Sequence, residues 1–158
     1  MKTYPLRFEQ KLPIPIAEAW DFFSSPLNLA KITPPEMKFQ VTSNQTADTK
    51  IYPGMIITYI ISPLLGIKLN WTTEITQEKF EEYFVDDQRS GPYALWHHEH
   101  HFKTIKGGVL MTDIINYAVP YGIIGRLANQ ILVAKQINKI FDYRKKAVDD
   151  LFGSFKNS

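Results

Sequence analysis

Hydrophobic and polar positions alternate along much of the chain, and this pattern predicts a domain rich in β-strands. Tyr4 to Leu12 alternates in the way that is typical of a half-buried strand. Ile16 to Phe23 has apolar residues at helical spacing, and Asn28 to Ile32 predicts one further helical turn. Predicted strands follow, separated by turn residues: Met37 to Thr42, Met55 to Ile61, Ile67 to Thr76, Lys79 to Asp87, Leu95 to Ile105 and Val109 to Val119.

The C-terminal part of the chain predicts one long amphipathic helix. From Ile123 to Phe152, apolar residues recur at helical spacing and no proline interrupts them. A helix of about 30 residues is roughly 45 Å long, so it must cross the whole sheet. One strand, two short helices, about six antiparallel strands and one long helix predict an α+β fold, in a single domain over residues 1–158.

Composition adds little to this picture, but it excludes several classes of function. Aromatic residues make up 13% of the 158 residues, an excess that is typical of a ligand cavity or of a β-rich core. A formal charge of +2 gives no basis for nucleic-acid binding, and the lack of cysteine excludes disulfides and thiolate metal sites. No segment resembles a signal peptide or spans a bilayer. We therefore expect a cytoplasmic protein without stable membrane insertion.

All four histidines lie in one predicted strand, whose side chains alternate between two faces. One face carries two imidazoles between two aromatic rings: Trp96, His98, His100 and Phe102. The other face is more polar: Leu95, His97, Glu99, His101 and Lys103. The first face predicts the wall of an apolar pocket that holds a few polar groups. The second predicts a solvated outer surface.

Further motifs accompany the histidines between residues 84 and 122. They are a Phe-x-Asp-x-Gln strand end, a Gly-Pro turn, Trp-x-His-x-His-x-Phe, a Gly-Gly hairpin and Asp-x-x-x-Tyr-x-x-Pro-x-Gly: Phe84, Asp86, Gln88, Gly91, Pro92, Trp96, His98, His100, Phe102, Gly107, Gly108, Asp113, Tyr117, Pro120 and Gly122. With these motifs and this order of elements, the chain resembles the bacterial ligand-binding type of the SRPBCC superfamily. That superfamily includes START domains, birch-pollen-allergen-like (Bet v 1-like) proteins and polyketide cyclases/dehydratases.

The resemblance implies a helix-grip fold, in which a curved antiparallel sheet of six or seven strands wraps round the C-terminal helix. It also implies that Asp113 and Tyr117 face the same side as His98 and His100. Alternation alone leaves this open, because both faces of the last strand are mixed.

Three roles are open to His98 and His100. In a structural network, each imidazole pairs with a buried carboxylate such as Asp113 or Asp86. As functional groups, the imidazoles donate a hydrogen bond to a ligand or carry a proton. As metal ligands, they need a third ligand, such as Asp113, to hold zinc. The structural network is favoured, but the sequence leaves the choice between a structural and a functional role open, and we assign no metal, no other cofactor and no catalytic residue.

The expected function is binding of a hydrophobic small molecule, such as a lipid, isoprenoid or polyketide-like compound, between sheet and helix. The residues predicted to contact it are Tyr59, Trp71, Phe84, Asp86, Trp96, His98, His100, Phe102, Met111, Asp113, Tyr117, Leu127 and Ile131. A cyclase/dehydratase-like enzyme using the same His and Asp side chains is the alternative. A protein-interaction or regulatory domain using the apolar stretch Met55 to Ile61 is the third possibility. A charge cluster at a sheet edge, near a turn, is expected for Glu81, Glu82, Asp86 and Asp87, in preference to a general acid and base formed by Asp86 and Glu82.

Overall fold

The order of elements follows the predicted order. The computed structural model describes residues 1–62, 66–124 and 132–156. The main elements are β1 (Tyr4–Leu12), α1 (Ile16–Phe23), β2 (Gln40–Val41), β3 (Ile56–Ile61), β4 (Leu69–Lys79), β5 (Tyr83–Ser90), β6 (Leu95–Ile105), β7 (Gly108–Ala118) and α2 (Ala134–Phe152). Two 3-10 helices, Pro26–Ile32 and Pro35–Met37, connect α1 to β2. No helix among the described residues is both long and apolar enough to cross a membrane.

The strands form one antiparallel sheet of seven, in the spatial order β1-β7-β6-β5-β4-β3-β2. Neighbours in sequence are neighbours in space from β2 to β7. β1 instead lies beside β7, with Tyr4 opposite Tyr117 and Leu12 opposite Val109. The histidine strand β6 therefore lies inside the sheet, between β5 and β7. This topology, with the C-terminal helix, confirms the predicted α+β class.

Both α-helices pack on the concave face of the sheet through aromatic side chains. Trp20 of α1 meets Phe84 and Phe102 edge-on, with ring centroids 6.0 and 5.6 Å away. Phe141 of α2 stacks on Phe8 of β1 at 4.1 Å. Burial of one such side chain stabilises the fold by about 1.5–3 kcal/mol relative to exposure. These contacts hold α1 and α2 over the same side of the sheet.

The predicted strand Met37 to Thr42 is largely wrong. Met37 belongs to the 3-10 helix Pro35–Met37, and β2 is limited to Gln40–Val41. The N–H of Met37 donates to the carbonyl of Pro34 at 3.0 Å, and the Met37 side chain is buried. Proline fixes φ near the value of such a turn, so the two prolines extend the helical path beyond the expected boundary.

The turn between β4 and β5 also differs from the prediction. β4 continues to Lys79 and β5 begins at Tyr83, so the turn falls at residues 80–82. Glu81 adopts a left-handed φ of 57°, and the N–H of Glu82 donates to the carbonyl of Lys79 at 2.9 Å. Glycine and proline, the usual signals of such a turn, are both absent there, which is why the sequence pattern missed it.

The C-terminal helix α2 presents one apolar stripe to the sheet. Its buried residues are Ile137, Phe141 and Val148, at helical spacing. The predicted helix began at Ile123, and residues 122–124 are helical too. The predicted ligand contacts Leu127 and Ile131 lie outside the described residues.

Candidate functional site

A cavity of about 160 Å³ lies between the concave face of the sheet and α2. Strands β3 to β7 form its floor, and α1, the first 3-10 helix and α2 cover it. Most of its wall is apolar or aromatic. The polar side chains on the wall include Asp86, His98, His100 and Arg144. The site is therefore an apolar space with a polar corner.

Two histidines and two aspartates form a cyclic cluster of polar contacts, here called the inner His/Asp cluster. Strand register places His98 opposite Asp86 of β5 and His100 opposite Asp113 of β7. The hydrogen bonds run diagonally: His98 Nε2 lies 2.8 Å from Asp113 Oδ1, and His100 Nε2 lies 2.7 Å from Asp86 Oδ2. His100 Nδ1 is 3.1 Å from Asp113 Oδ1 but out of line for a hydrogen bond, and His98 Nδ1 is 3.6 Å from Asp86 Oδ2.

The two imidazoles of this cluster are buried and lie close together. Their ring centroids are 3.7 Å apart, and Phe84 stacks on His100 at 4.1 Å. His98 and His100 are only 5% and 8% exposed. Two positive charges at this separation in a buried site would repel each other strongly. The pair therefore titrates as a coupled unit that favours one added proton.

The local environment shifts the pKa values of the two histidines in opposite directions. Burial lowers the pKa of His98, and His100 lowers it further, against the effect of Asp113 and Asp86. Burial also opposes the charge of His100, but its contacts with Asp113 and Asp86 outweigh burial and raise its pKa. For both aspartates, burial favours the neutral acid, whereas the histidines outweigh it and hold the carboxyl pKa below its usual range.

The distances agree with a neutral His98 and a cationic His100. Neutral His98 donates from Nε2 to Asp113 and turns the lone pair of Nδ1 toward Asp86, which explains the long 3.6 Å separation. Cationic His100 donates from Nε2 to Asp86 and keeps Nδ1 3.1 Å from Asp113, where charge attraction holds the two together. The cluster then carries one net negative charge. Both buried carboxylates have histidine partners, which is the pairing that the structural network requires.

Asp86 is not part of a charge cluster at a sheet edge, so that prediction is wrong. β5 is the middle strand of the seven, and Asp86 lines the cavity, where Thr73 Oγ1 donates to it at 3.3 Å. Glu81 and Glu82 fall in the turn before β5. Asp87 faces the opposite side of the sheet because neighbouring side chains of a strand alternate.

Arg144 brings a positive charge to the cavity wall, and the sequence analysis missed it. It follows Ile137 by seven residues and Phe141 by three, so helical spacing places it on the buried stripe of α2. That spacing is the signal that identifies it. Its Cζ lies 4.6 Å from the centroid of the Phe141 ring, and its buried Nε has no hydrogen-bond partner among the described residues. Burial lowers the pKa of Arg144, against the charges of Asp113 and Asp86.

Most of the predicted contact residues lie on the cavity wall, and three lie beside it. On the wall are Tyr59, Trp71, Phe84, Asp86, Trp96, His98, His100 and Met111. Phe102 packs against Phe23 instead, and Tyr117 packs against Tyr4. Asp113 is buried beneath the histidines and orients them. Contact of the wall residues with a ligand stays a prediction.

The outer histidines make separate contacts on the opposite face of β6. His97 Nδ1 lies 2.8 Å from Asp87, and His97 Nε2 lies 3.4 Å from Glu99. His101 Nε2 lies 2.8 Å from the other oxygen of Glu99. The side chains of His97 and His101 are 32% and 40% exposed, which confirms the predicted solvated outer face.

The apolar stretch Met55 to Ile61 contributes side chains to the cavity wall. Met55, Ile57, Tyr59 and Ile61 are buried. β3 pairs with β4 over its whole length, and its neighbour on the other side is β2. Of the large apolar side chains in this stretch, Ile56 is the exposed one. This arrangement gives no support to a protein-interaction surface on the stretch.

Among the described residues, one group of ligand atoms is compact enough to hold a metal ion. One atom from each of Asp86, His98 and His100 lies within 4.8 Å of the others. Two imidazoles and one carboxylate form a ligand set for zinc or non-haem iron. Asp86, rather than the predicted Asp113, completes this set. A metal there would compete with the hydrogen bond from His100 to Asp86.

Comparisons with known proteins bear on the fold. No family model matches the chain, and no curated protein matches it. Protein CV1439 from Chromobacterium violaceum is 15% identical over 96% of this chain and 98% of that chain, with a TM-score of 0.70. Ginseng major latex-like protein 151 from Panax ginseng is 13% identical over 95% and 97%, with a TM-score of 0.68. Protein Ms6760 from Mycobacterium smegmatis is 15% identical over 96% and 98%, with a TM-score of 0.66.

The chain has the helix-grip fold, as Bet v 1-like proteins do. The ginseng protein represents the Bet v 1-like branch of that fold. In a helix-grip fold the central strands face the C-terminal helix, which is why the inner His/Asp cluster lies beneath α2. At these identities the likeness establishes the fold alone. Function must therefore be argued from the cavity.

Proposed function

We propose that the protein binds a compact hydrophobic small molecule in the cavity between the sheet and α2. The mainly apolar space of about 160 Å³ supports this proposal. Protein interiors are normally close-packed, and an empty apolar space forfeits the contacts that facing side chains would make. A bound apolar molecule would restore those contacts.

The volume and shape of the cavity favour a ring-sized ligand. An engineered apolar cavity of about 150 Å³ in another protein accepts benzene. Aromatic side chains line this cavity: Tyr59 stacks on Trp71 with ring centroids 5.8 Å apart, and Trp71 meets Trp96 edge-on at 5.4 Å. Flat, rigid walls of this kind match planar or cyclic molecules better than a long acyl chain.

Titration with N-phenylnaphthylamine, a neutral dye that brightens in apolar sites, tests this proposal. We expect saturable binding to the wild-type protein. Ile57→Trp fills the cavity from β3 and is expected to weaken binding about tenfold or more. Ile56→Trp is the matched control, because the adjacent Ile56 side chain is 46% exposed, and it should bind the dye normally.

Equal binding by the two variants would contradict the proposal, as would a wild-type titration that does not saturate. Thermal unfolding of both variants establishes that they are folded. If Ile57→Trp fails to fold, Ile61→Phe offers a smaller filling of the same wall. Native mass spectrometry of the purified protein, followed by extraction, would identify any ligand that co-purifies.

A second candidate function is proton transfer with a bound carbonyl compound. One observation favours it: His98 lines the cavity, and its Nδ1 lies 3.6 Å from Asp86, too far for a hydrogen bond. In heavy water, the wild-type protein would then accelerate α-proton exchange of an acetyl-substituted naphthalene, as measured by NMR. His98→Gln would bind the ketone and lose the acceleration. Equal exchange rates for the two proteins would exclude this function.

A further inference from the structure

Apart from His100 Nδ1, which lies 3.1 Å from Asp113, two N–H groups on the cavity wall have no hydrogen-bond partner among the described residues. They are Nε of Arg144 on α2 and Nε1 of Trp71 on β4, and both atoms are buried. Buried donors in folded proteins are nearly always paired, because an unpaired donor has lost its hydration without compensation. Two such donors on one cavity wall therefore indicate an acceptor supplied from outside the chain.

Tyr59 packs beside Trp71 and also lies near Arg144. Its ring stacks on Trp71 with centroids 5.8 Å apart. Burial is the main influence on the Tyr59 hydroxyl and raises its pKa, the charge of Asp86 raises it further, and the charge of Arg144 acts in the opposite direction. Side chains from β3, β4 and α2 thus surround one region of the cavity.

The net negative charge of the inner His/Asp cluster acts on Arg144 without a direct ion pair between them. Within the part of the chain that the structure describes, no carboxylate forms an ion pair with it, and its contact is the face of Phe141. Asp86 and Asp113 are already bound to histidines at 2.7 and 2.8 Å. A guanidinium that makes no direct ion pair in a mainly apolar cavity is only partly compensated, and an anion in contact with it would relieve the remaining penalty.

We propose that the ligand carries a carboxylate, which Arg144 binds with the Trp71 indole N–H as a second donor, while an apolar ring fills the rest of the cavity. This inference rests on the proposed binding function and narrows its ligand class to compact cyclic carboxylic acids. The planar guanidinium suits a carboxylate, since its parallel N–H groups match the two oxygens. A cationic ligand would meet repulsion from Arg144.

Three compounds with the same naphthalene ring test the ligand class: a carboxylate, the matching carboxamide and an aminomethyl derivative. Each is titrated against wild-type protein loaded with N-phenylnaphthylamine, and displacement of the dye is measured. We expect the carboxylate to bind about tenfold to one hundredfold more tightly than the carboxamide, as charge-assisted hydrogen bonds imply. The amine should bind most weakly.

Four variants test which residues cause the preference for the carboxylate over the carboxamide. Arg144→Gln should abolish the difference between carboxylate and carboxamide, and Arg144→Lys should retain part of it, because lysine keeps the charge without the planar fork. Trp71→Phe keeps an aromatic ring, though a smaller one, and removes the N–H, so carboxylate binding should weaken about threefold to tenfold relative to carboxamide binding. Lys145→Gln makes the same charge change at the adjacent exposed position and should leave the preference intact.

The outcomes separate this inference from the proposed function. Equal wild-type affinity for carboxylate and carboxamide would overturn the inference and leave hydrophobic binding standing. Tightest binding of the amine would overturn it as well and assign the polar end of the ligand to Asp86. No binding of any compound, the dye included, would overturn the proposed function itself. If Arg144→Gln does not fold, the wild-type series still decides, because it needs no variant.

Discussion

β6 carries two histidine pairs that differ chiefly in the face of the strand they occupy. On both faces the closest histidine–carboxylate distances are 2.7–2.8 Å. His98 and His100 are almost fully buried, whereas His97 and His101 keep about a third of their side-chain surface in solvent. Exposed ion pairs contribute about 0–1 kcal/mol, while removing one partner of a buried pair costs about 3–5 kcal/mol. Burial, rather than distance, therefore decides what each pair does for the fold.

The largest expected effect comes from removing a carboxylate on each face in turn. Asp113→Ala takes away the acceptor of His98 and the second contact of His100, and should lower the free energy of unfolding by about 3–5 kcal/mol. Asp87→Ala removes the closest partner of His97 and the acceptor of the Thr76 hydroxyl, both partly exposed, and should lower it by about 1 kcal/mol. Urea unfolding measures both. Equal losses would show that burial does not distinguish the two faces.

The second-largest expected effect distinguishes the contributions of His98 and His100 to the free energy of unfolding. His98→Gln keeps a side-chain N–H donor for Asp113, and we expect a loss of about 1–2 kcal/mol. His100→Gln removes the cation between two buried carboxylates, so we expect a loss of about 3 kcal/mol or more. The same unfolding experiment compares the two variants. A larger loss for His98→Gln would reverse the assignment of the charge.

Acidification is expected to act through the inner face. The lowered pKa values of Asp86 and Asp113 mean that their stabilisation is present above the ordinary carboxyl range and is lost as pH falls below about 4. The lowered pKa of His98 removes stability as pH falls below about 6.5, because the unfolded chain takes up that proton first. The raised pKa of His100 acts oppositely, favouring the fold below about 6.5 and losing this effect as pH rises.

Because the two histidines oppose each other, stability should vary little near neutral pH and fall steeply below about pH 4. Thermal unfolding measured from about pH 3 to about pH 8 checks this profile. The unfolding midpoint of Asp113→Asn should fall less steeply below about pH 4 than that of the wild type, since one of the two carboxylates is absent. A wild-type midpoint that is constant down to pH 3 would contradict the assignment.

The faces of β6 were predictable because alternation along a strand is a local rule. It separated His98 and His100 from His97 and His101, and the structure confirms that separation. The motif resemblance supplied what alternation left open, the placement of Asp113 beside the histidines.

Features that depend on contacts distant in sequence were not predictable in the same way. The diagonal bond from His100 to Asp86 needs the register between β5 and β6, which the turn at residues 80–82 sets. That turn uses Glu81 in a left-handed conformation and carries no glycine signal. Arg144 was not predicted to face the cavity because it belongs to the basic run 144–146. Basic residues are common in the C-terminal part of a helix, where they interact favourably with the helix dipole. Its helical phase with Phe141, rather than its charge, shows that it faces the cavity.

The smallest expected effect is the coupling free energy between His101 and Glu99 on the outer face of β6. A double-mutant cycle between His101 and Glu99, with His101→Ala and Glu99→Ala, should give a coupling free energy below about 1 kcal/mol, because solvent screens a partly exposed pair. The coupling should shrink further in high salt. The same cycle between His98 and Asp113 should give several times that value and respond little to salt, because a buried pair is screened less. Similar couplings on both faces would mean that the residue pair, rather than its burial, sets the energy.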